Sequence, residues 1–340
     1  MVPEIFRPII AKLAERVALE SAEAEAAFAA IMDGKASEAE IAAFLMGLHM
    51  KGETFTEIAA GARAMRARMT RVEAPPGAID CCGTGGTGRA TLNVSSAVAF
   101  VLAGGGVPVA RHGNRGVSRP SGAADVLAAL GVKISSDPAL ISRAIKEAGV
   151  GFMMAPNHHG AMKHVAATRA ALGIRTIFNL LGPLSNPAGV KRQLVGVFAE
   201  SWLDPMGRAL SGLGTERAWV VHGEGLDELT TTGVSKVAEL DERGRIRHFE
   251  VTPEDAGLPR ADPSSLRGGT AAENAASLNA VLGGARGPYR DIVLLNAAAC
   301  FMIAGKAENL KQGVELAAAS IDSGKAGAAL DKLIALTNAS

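Results

Sequence analysis

Cysteine, aromatic residues and excess charge are all scarce in this chain of 340 residues, and each scarcity removes a class of function. Cys81, Cys82 and Cys300 are an odd set with two adjacent members and no Cys-x-x-Cys spacing, so they read as reduced thiols of a cytosolic protein and not as a disulfide framework. Adjacent cysteines on a strand point to opposite faces, which disfavours joint metal ligation. Two Trp leave little surface for stacking on bases, and 35 Lys plus Arg against 34 Asp plus Glu leave a formal charge of +1, not the basic excess of a nucleic-acid binder. Any anion site must therefore be local. Long apolar runs are missing too: Val94 to Val109 is punctuated by Gly and Pro and reads as buried core, so no membrane partner is expected. Glu4, Lys12 and Glu15 interrupt the N-terminus, and no signal peptide is visible. Neither an internal repeat nor a low-complexity tract is seen.

Glycine, by contrast, is plentiful and concentrated. Ala78 to Cys82 is a short apolar run fit for a buried strand, and it ends at Gly83-Thr84-Gly85-Gly86-Thr87-Gly88, where several N–H groups can turn toward one point. Asn93, Ser95 and Ser96 are N-cap types, and Ser96 to Ala103 is helix-compatible, so a helix N-terminus is expected to face that point and favour a phosphate or pyrophosphate. A second strand, Val107 to Ala110, runs into Arg111-His112-Gly113-Asn114-Arg115, which brings cations and amide donors to the same edge; strand, helix and strand fit one βαβ unit. Gly83, Gly85 and Gly88 satisfy G-x-G-x-x-G, but the helix does not begin inside the glycine run and the second strand ends in Arg111 and His112, not in an acid for a ribose hydroxyl. Gly88-Arg89-Ala90 lacks the Lys of a Walker loop. A ligand-free glycine turn is the remaining alternative, and the Asn, Ser, His and Arg that follow weigh against it.

From Pro3 to about Arg71 apolar residues recur at helical spacing, Gly34 and Gly52 mark ends, and Ser37 to Glu40 has the form of a capping box. This predicts a helical bundle over 1–72, a stiff Pro-Pro-Gly linker over 73–77 and an α/β domain over 78–340. In the latter, apolar runs at Val150–Met154, Val195–Phe198, Ala218–Val221 and Asp291–Leu295 alternate with helical runs, as expected of a mostly parallel sheet. Beyond Ala155-Pro156, His159, Met162, Ala166 and Arg169 are spaced to share one helix face, and Arg169 offers a planar fork suited to a carboxylate. Asp227 and Glu228 follow the strand Trp219–His222 on a loop, where a solvated pair or a magnesium site are both open readings.

The glycine run, Asn93-Val94-Ser95-Ser96 and His112-Gly113-Asn114-Arg115, with Ala155 to His159, Met162-Lys163, Arg169, Leu172 to Pro187 and His222-Gly223 through Glu228, resemble the anthranilate phosphoribosyltransferases over nearly the whole chain. The resemblance implies transfer of the phosphoribosyl group of 5-phosphoribosyl 1-pyrophosphate to anthranilate, with Mg2+ as cofactor. It implies that about 165–190 return to the helical domain, which faces the cleft and forms a homodimer. For the donor it implies Gly83, Gly86, Thr87, Thr91, Asn93, Val94, Ser95, Ser96, Arg111, His112, Gly113, Asn114, Arg115, Ser118 and Arg119; Arg111 and Asn114 act by positioning and charge, with no general base named. Arg169 would hold the anthranilate carboxylate, Gly83 and Asn114 lie near the ring, and His159 forms a wall. Metal contacts fall to Ser95, Asp227 and Glu228. Departures cluster on the donor side: Thr87 stands where the family has Asp, Arg111 stands for Lys, Arg119-Pro120 and Ala123 replace residues that are often Ser or Lys, and Gly160 stands for Pro. A pyrimidine nucleoside phosphorylase shares the architecture and is the enzyme alternative; a non-catalytic nucleic-acid-binding relative is the other.

Overall fold

The computed structural model describes residues 5–85, 88, 91–116 and 121–339. Four helices come first: α1 (Phe6–Ala14), α2 (Ser21–Met32), α3 (Glu38–Lys51) and α4 (Phe55–Arg66). The expected capping box opens α3: Ser37 Oγ accepts the Glu40 N–H at 3.3 Å, and the Glu40 carboxylate takes the Ser37 N–H at 2.8 Å. After the linker, β1 (Ile79–Gly83), α5 (Val94–Gly104) and β2 (Val109–Gly113) form the βαβ unit, with α5 starting two residues earlier than the spacing predicts. Next come α6 (Ala123–Ala129), α7 (Pro138–Glu147), β3 (Val150–Met154), α8 (Ala155–His158), α9 (Lys163–Leu172), α10 (Phe178–Leu184), β4 (Arg192–Gly196), α11 (Leu203–Gly212) and β5 (Arg217–Gly223). The chain then makes β6 (Ser235–Leu240) and β7 (Ile246–Val251) before the helices α12 (Ala271–Leu282), α13 (Pro288–Ile303), α14 (Leu310–Asp322) and α15 (Lys325–Asn338).

The sheet has seven strands in the order β3-β2-β1-β4-β5-β6-β7, parallel from β3 to β5 and antiparallel at β5–β6 and β6–β7. It is therefore mostly parallel, as read from the sequence. Its chain order reverses beside β1, where β2 and β3 lie on one side and β4 and β5 on the other, and such a switch point opens a crevice at the carboxyl ends of the strands.

One expected strand is wrong. Asp291–Leu295 lies inside α13, which Pro288 opens at its first turn, and nearly all of that helix is buried. A helix covered on all sides shows no polar stripe, so its apolar run cannot be told from a buried strand by periodicity. Conversely, β6 and β7 escaped notice because they are short, carry Lys, Glu, Arg and His on both faces, and are joined by a charged turn with Gly244 at φ +75°.

Two apolar clusters sandwich the sheet. One joins α5, α12, α13, α14 and α15 to one face of the sheet, from Val150 of β3 to Val251 of β7. The other runs from the N-terminal helices through Ile177, Phe178, Leu180, Leu181 and Leu184 to α11 and to Val195, Val220 and Ala238 of the sheet, so bundle and sheet share a continuous core. Between them, Val72 N–H reaches the Pro187 carbonyl at 3.2 Å, and Ser142 Oγ–H holds the Glu73 carbonyl at 2.8 Å.

Candidate active site

Four of the five parallel strands end on glycine, Gly83, Gly113, Gly196 and Gly223. Room is the reason. A Cβ at Gly83 would run into the Asp227 carboxylate, and one at Gly196 into the Asp227 backbone carbonyl. Asp227 thus lies directly over the ends of β1 and β4, at the switch point, and is buried there. Its Oδ2 accepts the Gly85 N–H at 2.8 Å, with Gly85 at φ +66°, a left-handed angle that suits glycine. Thr84 completes the seat: its N–H donates to the Gly196 carbonyl at 2.9 Å, and its Oγ1 accepts the Phe198 N–H at 3.1 Å. The neighbouring Leu229 is gripped by Asn296 of α13, which accepts its N–H at 2.9 Å and donates to its carbonyl at 2.8 Å.

At the head of α5, Asn93 is the N-cap residue without a side-chain cap bond. Its Oδ1 instead accepts from Asn274 at 2.9 Å, and its carbonyl accepts the Tyr289 hydroxyl at 3.1 Å; burial pushes that hydroxyl's pKa up, so it stays a donor. Thr91 pairs with Arg267 in an isolated bridge, and Val94 begins the helix. Arg111 reaches across from β2: Nη1 donates to the Cys81 carbonyl at 2.6 Å, and Nη2 lies 3.1 Å from both Ser95 Oγ and Ser96 Oγ. The guanidinium is buried, and its Nε has no hydrogen-bond partner among the described residues. A cation, two hydroxyls and a helix N-terminus converge here, a combination that favours an oxyanion.

The histidines form a third group. His112 and His159 face each other edge-on with ring centroids 5.2 Å apart, both buried, and His158 Nδ1 lies 2.9 Å from the Thr70 carbonyl. Burial, then the neighbouring His159 and His158, press the His112 pKa down to about 3. Burial and His158 press that of His159 down to about 4. Both rings are therefore neutral near pH 7. Arg169, half-buried on α9, places its guanidinium carbon 5.5 Å from the Phe178 ring centroid, and burial lowers its pKa.

The description "Glycosyl transferase family, a/b domain" matches residues 75–327, and "Glycosyl transferase family, helical bundle domain" matches residues 7–69. Anthranilate phosphoribosyltransferase of Parvibaculum lavamentivorans is 60% identical over 98% of this chain and 98% of its own. The chain belongs to the anthranilate phosphoribosyltransferase family. The crystal structure of the Thermus thermophilus member superposes with a TM-score of 0.91 at 44% identity, covering 96% of this chain and 98% of that one. The Saccharomyces cerevisiae member in complex with PRPP and Mg gives a TM-score of 0.88 at 26% identity, covering 99% of each chain. A yeast complex with 4-fluoroanthranilate gives a TM-score of 0.89 at 26% identity over 100% of this chain and 99% of that one.

Against that family background, Asp227 sits at Gly83, Arg111 at Ser95 and Ser96, and His112 at His159. The regular helix face expected for His159, Met162, Ala166 and Arg169 is broken, because His159 leaves helical geometry at φ −118° and ψ 58° and a 3-10 turn, Gly160–Met162, intervenes before α9. His159 is buried while Ala166 is exposed. Asn114 and Arg115 are exposed: Asn114 Oδ1 accepts the Arg115 N–H at 2.8 Å, and Arg115 pairs with Asp125 at 3.2 Å. Among the described residues neither shares a hydrogen bond with Gly83 or Arg169. Gly86, Thr87, Ser118 and Arg119 lie outside the described residues, as does Pro120.

Sequence reading overlooked Asp80, Asp125 and Asn274. Asp125 collects the Gly116 and Gly122 N–H groups, each at 2.9 Å, and so folds the turn after β2 onto α6. Asp80, in the middle of the apolar strand β1, is fully buried. Burial pushes its carboxyl up in pKa, while Asn186 and Arg111 draw it back. A carboxylate within an otherwise apolar strand was the available signal, since such a group needs built partners.

Proposed function

We infer that this protein transfers the phosphoribosyl group of 5-phosphoribosyl 1-pyrophosphate to the amine of anthranilate, releasing pyrophosphate. The observation that carries the reading is the pairing of Asp227 with the glycine run at the β1/β4 switch point, close in sequence to Glu228 and opposite a head of α5 served by Arg111. The donor lies along Gly83, Gly86, Thr87, Thr91, Asn93, Val94, Ser95, Ser96, the Arg111–Arg115 turn, Ser118 and Arg119. Arg169 binds the anthranilate carboxylate; Gly83, Asn114 and His159 line the ring. The division into 1–72 with about 165–190, a hinge at 73–77, and 78–340 places the acceptor between the two bodies. A homodimer through the helical domain and a cytosolic setting complete the reading, the latter supported by three buried free thiols.

The donor atoms suit magnesium. Asp227 and Glu228 supply adjacent carboxylates, and among the described residues no group of three or more His, Cys, Asp and Glu could cage an ion. Two adjacent carboxylates fit an ion that keeps waters and takes substrate phosphates as its other ligands, and the Ser95 hydroxyl would serve another magnesium position. Bound there, it would neutralise charge on the departing pyrophosphate.

This chain's own contribution is orientation and charge. An aromatic amine is unprotonated near neutral pH, so attack on the anomeric carbon needs no strong base, and the depressed pKa values of His112 and His159 are those of wall residues. The loop amides and Arg111 stabilise the leaving group, and Arg169 fixes the acceptor. The test is loss of anthranilate fluorescence on adding donor and magnesium to wild type, Arg169→Ala and Asp227→Ala/Glu228→Ala. Turnover that drops at least about a hundredfold in both variants is expected. Wild type that is silent with anthranilate but cleaves thymidine or uridine with phosphate would sink the assignment in favour of a phosphorylase.

A further inference from the structure

The sheet is incomplete beside its own switch point. β1 and β2 are in register only at Ile79 and Val109, although each pairs over five residues with its other neighbour. Beyond that pair, side chains take over the backbone groups that a ladder would have joined. The His112 N–H donates to Asp80 Oδ1 at 3.2 Å, the Cys81 carbonyl accepts Arg111 Nη1–H at 2.6 Å, and the Ala110 carbonyl accepts Asn186 Nδ2–H at 2.9 Å. The second partner of Asn186 Nδ2 is Asp80 Oδ2 at 2.7 Å. Asn186 Oδ1 accepts the Ala188 N–H at 2.8 Å, which fixes which way its amide points. The wedge is dry: Asp80 is 0% exposed and Asn186 1%.

We propose that Asp80 and Asn186 are a positioning pair that sets the donor half of the cleft against the acceptor half. On one side Asp80 holds the amide of His112 near the end of β2, just before the chain leaves the sheet at Asn114 and Arg115. On the other, Asn186 closes the segment that begins at α10, whose Phe178 carries Arg169. Splaying β1 from β2 opens room between Gly83 and Gly113, and the pair keeps that opening at one width. The chemistry demands an acid at 80. Both oxygens of Asp80 face donors, so an amide there sets an N–H against an N–H whichever way it is turned. These residues act through others and touch no reacting atom; the roles of the two halves rest on the function proposed above, whereas the pair itself does not.

The experiment compares Asp80→Asn, Asn186→Asp and the double variant in the full-length enzyme, reading kcat and amide hydrogen exchange. Asp80→Asn creates the donor clash; Asn186→Asp sets two carboxylates face to face. The double variant restores one donor and one acceptor between the two positions, but the bond to the Ala110 carbonyl is replaced by a carboxylate oxygen facing a carbonyl oxygen, so the rescue is partial. Each single change should lower kcat at least about tenfold, and the double should recover at least about threefold over the worse single. Exchange over residues 111–116 should rise in the singles and fall back in the double, while α1 to α4 keep wild-type protection. Exchange needs no substrate, so it reads the pair even if the acceptor has been misassigned. Should a single variant fail to fold, Asn186→Ser adds no charge and should show the same confined rise. Unchanged exchange over 111–116, a rise spread evenly over the chain, or a double variant no better than the worse single would each overturn the proposal.

Discussion

Asp227 accepts the Gly85 N–H at 2.8 Å, a bond between residues 142 positions apart that ties the glycine run to the loop beyond β5. The place of Asp227 is set by absent side chains at Gly83 and Gly196, so the site depends on two strand ends that leave room for it.

Gly196→Ala should therefore behave like an active-site substitution. The new methyl would overlap the Asp227 carbonyl, and backbone cannot swing aside as a long side chain can. We expect about 1–3 kcal/mol of destabilisation and at least about a hundredfold loss of kcat/KM, since a displacement of about 1 Å is enough. Thermal melts and steady-state rates check both, and a variant with full activity would mean that the loop has slack.

Why this relationship stayed hidden in the sequence is a matter of distance. The glycine run, Asn93 to Ser96 and the Arg111–Arg115 turn are contiguous with the strand and helix that present them, and local pattern was enough to place them at one edge. Asp227 over Gly83 was reachable only as far as "a loop beyond a strand end", because strand order, not spacing, brings β5 near β1. Asp80 and Asn186 meet for the same reason, whereas α13 is hidden for another: burial on every side erases its helical stripe. Arg111 was read correctly as a cation at this edge, but not as one already bonded to Cys81, Ser95 and Ser96.

Magnesium dependence should follow the acidic pair. Asp227→Asn keeps an oxygen that can accept from Gly85 but removes a charge from a site that must offset pyrophosphate. The magnesium concentration for half-maximal rate should rise about tenfold or more, with Glu228→Gln shifting it the same way. A titration of rate against magnesium that superposes on wild type for both variants would remove these residues from the metal site.

Stability of the helical bundle is predicted to hang on Glu57, which is fully buried at the first turn of α4. Its Oε1 accepts the Leu19 N–H at 2.9 Å, and its Oε2 accepts the Thr54 N–H at 2.8 Å and Lys51 Nζ at 2.9 Å. Glu57→Ala leaves the two backbone N–H groups without this acceptor and removes the carboxylate bonded to Lys51, a lysine whose side chain is 5% exposed and which keeps the Gly52 carbonyl at 2.6 Å. The expected loss is about 3–5 kcal/mol. Replacing Lys51 by Met as well should recover part of it, since the uncompensated charge goes with the lysine. Chemical denaturation of the two variants decides; equal losses would show that the amides, not the charge, set the cost.

The last prediction concerns acid. His159 titrates near 6.5 in an unfolded chain but at about 4 in its buried seat, so between those values the unfolded chain binds more protons. Stability is then full above about pH 6.5 and declines as pH falls toward 4, with no further loss from this group below that. A depression of this size corresponds to roughly 3 kcal/mol. His112 pulls in the same direction over a window reaching down to about 3, and because the rings face each other the two losses do not simply add. His159→Gln should therefore flatten the fall in melting temperature between pH 6.5 and 4 while lowering it at pH 7.5, where the native packing is lost and no protonation is at stake. In the same variant the rate between pH 6.5 and 8 should keep the wild-type shape, because a ring already neutral there has no proton to give up. An acid limb in the wild-type rate near pH 6.5 that His159→Gln abolishes would mean instead that this histidine titrates as an exposed one does.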